Sequence, residues 1–136
     1  MSGDEAPREA GWSETMGLTV VRASADEVIA ELVIGPQHRQ SLGMVHGGVH
    51  AGLIESAASL GASIVARARG EAPPVGLENH TSFIRGAREG RIRVRATPIT
   101  RGRTTQVWEA TVTDESGQVL STGRVRLMAA SSAPRG

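Results

Sequence analysis

Hydrophobic positions follow two periods along the chain. From Gly47 to Ala66 they recur at helical spacing: Leu53, Ala57, Leu60 and Ile64 are separated by four, three and four residues. The run predicts one long helix with a packing face. It starts at a glycine pair, Gly47-Gly48, and stops near Arg69, where a basic last turn meets Gly70 and then Pro73-Pro74. Short runs and alternation elsewhere predict strands over Leu18 to Arg22, Val28 to Ile34, Val75 to Arg85, Arg91 to Ile99, Thr104 to Thr113 and Gln118 to Met128. Ser24 to Glu27 closes the first two into a hairpin, Gly35-Pro36 ends the second, and Pro98 ends the fourth. In the third, Val75, Leu77, Asn79, Thr81 and Phe83 share one side, apolar at its ends and polar between. The sharp alternation of Arg91, Arg93 and Arg95 with Ile92, Val94 and Ala96 reads as a solvated strand face. Two strands, one helix and four strands with short links make an α+β domain, an antiparallel sheet around a single helix. The domain is placed at residues 16–129, between a flexible leader, 1–15, and a disordered tail, 130–136.

The chemistry sits on the other side of that helix. Glu55 is the one charged residue from Gly47 to Ala66, counting histidine as neutral. A lone carboxylate in such a run is expected to be buried or half-buried, where an ionised group is kept for chemistry or pairs across an interface. Gly52, Ser56, Ser59 and Ser63 line this side with small groups, and Ser59 stands one turn after Glu55. At the helix start, Gly47 and Gly48 allow close approach to backbone N–H groups that have no helical acceptor, a ready oxyanion hole. His46 is suited to cap that start, and Gln40 lies in the polar connection that leads to it. A sheet that buries the Leu53 stripe leaves the Glu55 side uncovered, which calls for a partner subunit.

Composition removes several function classes. The 136 residues include no cysteine, which excludes disulfides, thiolate metal sites and cysteine nucleophiles and fits a cytoplasmic location. The 15 basic residues, all arginine, against 14 acidic leave a formal net charge of +1. With Trp12, Phe83 and Trp108 as the only aromatics there is no stacking platform for nucleic acid, and no nucleic-acid partner is expected. The apolar run is weakly hydrophobic and carries Glu55 and His50, which argues against a membrane span, and the polar N-terminus does not resemble a signal peptide. His46 and His50 are four residues apart, but Gly47 stands where a zinc-protease motif has its glutamate, so no metal is expected. There is neither a G-x-S-x-G elbow nor a G-x-G-x-x-G turn after a strand. No cofactor is indicated.

The run His46-Gly47-Gly48-Val49-His50-Ala51-Gly52-Leu53-Ile54-Glu55, with Gln40 six residues before it and Ser59 four after, resembles the hotdog-fold acyl-CoA thioesterases of the PaaI-like group. Within that group it is most similar to the glutamate-type 4-hydroxybenzoyl-CoA and 1,4-dihydroxy-2-naphthoyl-CoA thioesterases. Val75 to Glu78, Arg85 to Arg91, Gly102-Arg103 and Gln106-Val107-Trp108 extend the likeness from about Met16 to Met128. The resemblance implies a hotdog fold and hydrolysis of an acyl-CoA thioester, with an aromatic acyl group and coenzyme A as part of the substrate. It also implies a homo-oligomer, a dimer of dimers, with active sites at the subunit interface. Glu55 matches the catalytic carboxylate, as nucleophile or general base, and Gly47 the oxyanion donor. Gln40 and His46 match side chains around the thioester, and Ser59 the hydroxyl that places water. Gly76, Phe83, Ile84, Arg85 and Gly86, with Thr100, Arg101, Gly102, Arg103, Thr104 and Thr105, match the stretches that bind coenzyme A. Phe83, Thr100, Arg101 and His50 depart from the naphthoyl-CoA pattern. A non-catalytic acyl-CoA-binding protein and a hotdog dehydratase are the competing readings, and release of free coenzyme A separates hydrolysis from both.

Overall fold

Alternation in the sequence becomes one six-stranded antiparallel sheet in a computed structural model that describes residues 11–132. The strands are β1 (Thr19–Ala23), β2 (Val28–Val33), β3 (Val75–Phe83), β4 (Arg91–Arg101), β5 (Thr105–Thr113) and β6 (Val119–Met128), ordered β1-β2-β4-β5-β6-β3. Two α-helices accompany them, α1 (Trp12–Met16) and the long α2 (Gly47–Ala68), with 3-10 turns at Pro36–His38 and Ala130–Ser132. The sheet curls around α2, which packs on every strand from β2 to β6. This is the hotdog arrangement.

The helix buries a broader face than the Leu53, Ala57, Leu60 and Ile64 stripe. Ile54, Ala58, Gly61, Ala62 and Val65 are also buried, whereas Ile64 is half-exposed. Alanine and glycine carry little hydropathy signal, yet their small size lets sheet side chains reach the helix backbone. Trp108 lies so close to Gly61 that a Cβ there would have no room. The Trp108 Nε1–H donates to Gln106 Oε1 at 2.9 Å, and the Gln106 amide donates to Ala62 O at 3.1 Å, so both polar groups enter the core satisfied.

On the outer face Arg93 and Arg95 pair with acidic residues in and just before β2, with Arg93 2.8 Å from Glu31 and Arg95 2.6 Å from Glu27. A hollow of about 760 Å³ on this face, between Glu31, Arg91, Arg93 and Glu115, is lined by such paired charges.

Several details differ from expectation. β4 does not end at Pro98 but continues through a bulge to Arg101. Pairing with β2 stops at Ala96, so Pro98 meets no β2 acceptor and its missing N–H costs nothing there. In β3 a bulge between Gly76 and Glu78 breaks the simple alternation, and Val75, Leu77 and Phe83 all stay exposed. Residues 12–15, assigned to the flexible leader, form α1, where the Trp12 ring fills the space over Gly52 and Ser13 Oγ lies 3.2 Å from Ser56 Oγ. The first ten residues of the leader and residues 133–136 of the tail lie outside the described residues, while Ala130–Ser132 is a 3-10 turn.

Candidate active site

The start of α2 is shaped by His46, extended at φ −62° and ψ 138°. Its Nδ1 accepts the Gly48 N–H at 2.7 Å and its carbonyl accepts the Val49 N–H at 2.9 Å. The Gly47 N–H has no acceptor among the described residues and stands at the positive end of the helix dipole. The expected cap and the expected free donor are thus side by side.

The preceding loop is tied down by hydrogen bonds. His38 is buried, its Nδ1 accepting the Gly35 N–H and its Nε2–H donating to Met16 O, both at 2.8 Å. Gln40 opens a tight turn closed by Gln40 N–H to Met44 O at 2.7 Å, and its Oε1 accepts the Leu42 N–H. Its amide nitrogen is the end left to meet a ligand. The loop after β3 braces this turn: Val45 N–H donates to Ala87 O, Arg39 Nε to Arg88 O and Arg88 Nη1 to Leu42 O.

Glu55 is exposed in the single chain, not buried or half-buried as expected, because the uncovered side of α2 is where it sits. A groove of about 590 Å³ runs along that side past Glu55, Ser59, Ser63, Ile64, Arg67 and Pro73. Ser59 lies in the same groove as Glu55, as the four-residue spacing requires. Gly47 and Glu55, however, are eight residues apart, about 12 Å along a helix rising ~1.5 Å per residue. One thioester carbonyl cannot be within ~3.5 Å of both.

The residues matched to coenzyme A also divide. Gly76 begins β3 at the end of the sheet where Val75, Met128 and Thr105 are in register across β3, β6 and β5. The hairpin Thr100–Thr105 is at that end, its backbone gripped by Arg69, which donates to Arg101 O at 2.6 Å and Gly102 O at 2.9 Å. Arg101 is engaged with Asp26 Oδ1 at 2.7 Å, whereas Arg103 makes no ion pair among the described residues. Phe83, Ile84, Arg85 and Gly86 lie at the far end of β3, roughly 23 Å away at ~3.3 Å per residue. There the Ile84 and Arg85 N–H groups both donate to Leu120 O, and Met44 packs on Gly86. The Phe83 ring covers Gly47 so closely that a Cβ on that glycine would be 2.8 Å from it.

His50, which departs from the naphthoyl-CoA pattern, is 4% exposed, with Nδ1 2.9 Å from Ser121 Oγ. Desolvation holds its pKa below the ordinary histidine value. Four contributors carried no motif signal: His38, Arg69, Ser121 and Asn79, whose Nδ2 donates to Ala51 O at 2.9 Å. Only the polar centre of β3 hinted at the last.

Relatives of known name share this frame. A Mycobacterium tuberculosis protein classed among the esterases is 38% identical over 113 residues, 82% of this chain and 81% of its own. Its solved structure superposes with a TM-score of 0.85 at 35% identity, covering 90% of this chain and 98% of that one. The 1,4-dihydroxy-2-naphthoyl-CoA hydrolase of Listeria monocytogenes is 32% identical over 117 residues, 84% of this chain and 91% of its own. A thioesterase from Staphylococcus aureus, solved as variants, superposes with a TM-score of 0.79 at 26% identity, covering 85% of this chain and 95% of its own. Two of its variants replace a glutamine and a glutamate fifteen positions apart, the separation of Gln40 and Glu55. The thioesterase superfamily model matches residues 42–121, from the loop before α2 into β6. With its long helix inside an antiparallel sheet and relatives of this kind along most of its length, the chain belongs to the thioesterase superfamily.

Proposed function

We propose that this thioester hydrolase cleaves an aromatic acyl-CoA in a site shared between two copies of the chain. The observation that carries the reading is the separation of the oxyanion donor from the carboxylate along α2. Each chain offers both groups, but not to one substrate. Ala51 is midway between Gly47 and Glu55, and Asn79, midway along β3, is bonded to it at 2.9 Å. A two-fold axis near this bond exchanges the two ends, bringing Gly47 of one copy to Glu55 of the other. β3 is suited to the contact: it is an edge strand of nine residues with exposed Val75, Leu77 and Phe83 and a free backbone side. The same axis brings the Phe83–Gly86 segment of one copy toward Gly76 and the Thr100–Thr105 hairpin of the other, uniting the two coenzyme A groups.

In such a site the Gly47 N–H, with the Gln40 amide, polarises the thioester carbonyl and stabilises the charge developing on its oxygen. His46 keeps the helix start in register. Glu55 of the opposite copy either attacks the carbonyl carbon to give a mixed anhydride or takes a proton from a water held with Ser59. By either route water supplies hydroxyl to the acyl group and a proton to the departing sulfur, giving free acid and coenzyme A without a cofactor.

The aromatic preference rests on the relative named as a naphthoyl-CoA hydrolase. Thiol release followed with a thiol-reactive dye tests it on benzoyl-, 4-hydroxybenzoyl- and hexanoyl-CoA. The expected result is a kcat/KM for the aromatic thioesters at least about tenfold above hexanoyl-CoA, a usual margin for shape selection in a pocket. Hexanoyl-CoA as the better substrate overturns the aromatic assignment, and absence of thiol release from all three overturns the reaction.

A further inference from the structure

His50 is a buried titratable group that the mechanism above leaves unused. Its Nδ1 and Ser121 Oγ are each other's side-chain partner. A buried hydroxyl that donates to no acceptor is costly. If Nδ1 carried the proton, the Ser121 hydroxyl would have nothing to donate to among the described residues. The favoured arrangement has Ser121 donating to Nδ1, which leaves the proton on Nε2. Burial lowers the pKa, so the ring stays neutral and Nε2–H is a donor at neutral pH.

That donor is accessible. Among the described residues no fully buried side-chain nitrogen or oxygen lacks a partner. His50 Nε2 has no partner among the described residues, which assigns it to the 4% of the residue that reaches the surface. The location is the helix start. His50 is three residues after Gly47, and helical side chains lean toward the N-terminus, which carries its ring back to the level of Gly47. Phe83 marks the same place: it is the cross-strand partner of Ser121, its ring packs over Gly47, and its centroid is 6.0 Å from that of His50.

We propose that His50 is a further catalytic residue, whose Nε2–H joins the Gly47 N–H in binding the thioester oxygen as charge develops on it. The inference rests on the thioesterase reading and adds a neutral side-chain donor to the oxyanion hole, oriented by Ser121. Two substitutions divide the ring's functions. His50→Asn places an amide where Nδ1 is and keeps the bond to Ser121; His50→Gln places one where Nε2 is and keeps the outward donor.

The test measures kcat, KM and melting temperature for both variants on benzoyl-CoA and 2-hydroxybenzoyl-CoA, with the His50 tautomer of the wild type read by ¹⁵N NMR. The expected result is an Nε2–H tautomer and a kcat for His50→Asn lower by ~10²-fold, as for loss of one oxyanion donor, with little change in KM. His50→Gln is expected to stay within about tenfold of wild type on both substrates, even if it melts earlier. Activity that follows melting temperature through the two variants overturns the proposal. So do an Nδ1–H tautomer, and a loss confined to the 2-hydroxylated substrate, which would mark an acyl-group contact instead. Wild-type thiol release abolished by Glu55→Ala establishes hydrolysis without reference to His50, so failure here is separable from failure of the thioesterase reading.

Discussion

Glu55→Ala is expected to lower kcat by at least ~10²-fold while leaving fold and assembly intact, the loss typical of a removed acid–base or nucleophilic group. Glu55 lies exposed on the groove side of α2 and makes no hydrogen bond or ion pair within the described residues. Replacing an exposed, unpaired side chain typically changes stability by no more than ~0.5 kcal/mol, and alanine is the best helix former. A structural carboxylate would behave in the opposite way. Steady-state thiol release measured beside circular dichroism and sedimentation distinguishes the two. Turnover within a few-fold of wild type would refute the catalytic assignment, and loss of assembly would return Glu55 to the role of an interface group.

Trp108→Ala is expected to cost ~3–5 kcal/mol of folding stability, the range for deleting a large aromatic side chain from a core. Trp108 has no exposed surface, and its ring is pressed against Gly61 of α2. Deletion leaves a cavity that the helix, held by residues on either side of it, cannot close. It also leaves Gln106 Oε1 without its donor in the core. Urea unfolding gives the measure, as a fall in midpoint with an unchanged slope. A cost below about 1 kcal/mol would show that α2 is not anchored through this contact.

Most of the fold was legible because hydrophobic period and turn residues agree in nearly every element. The six strands and the long helix follow from the alternation of Ile92, Val94 and Ala96, the helical repeat of Leu53 and Ala57, and the Gly35-Pro36 and Gly70 stops. What was not legible depends on groups distant in sequence. Gly61 gives no hydrophobic signal, but it is core because Trp108, 47 residues later, needs the space. Pro98 reads as a strand stop, yet β2 begins only at Val28, opposite Ala96, and does not reach far enough to need its N–H.

The site divides in the same way. The cap made by His46 and the free Gly47 N–H were legible because both are set by neighbours in the chain. The uncovered Glu55 side of α2 was legible from the apolar stripe opposite it, whereas the burial expected of a lone carboxylate in an apolar run does not hold within one chain. Nor does sequence show that Ser121 holds the His50 ring, or that Asn79 bonds Ala51, midway between Gly47 and Glu55 on α2, since both partners come from strands folded back onto the helix.

Mixing two inactive variants tests most directly whether the site is shared between copies. Gly47→Pro removes the N–H assigned to the oxyanion hole at the first helical position, which suits proline as does the extended backbone of His46, and its Cβ requires the tip of the exposed Phe83 ring to move aside. Combined with Glu55→Ala, each variant keeps the group the other lacks. After subunit exchange, random pairing leaves half of the dimers mixed, each with one intact site of two, so thiol release should return to about a quarter of wild type. A mixture that exchanges subunits, shown by mass-tagged chains, yet stays as inactive as its components would contradict the shared site and place the reaction within a single chain.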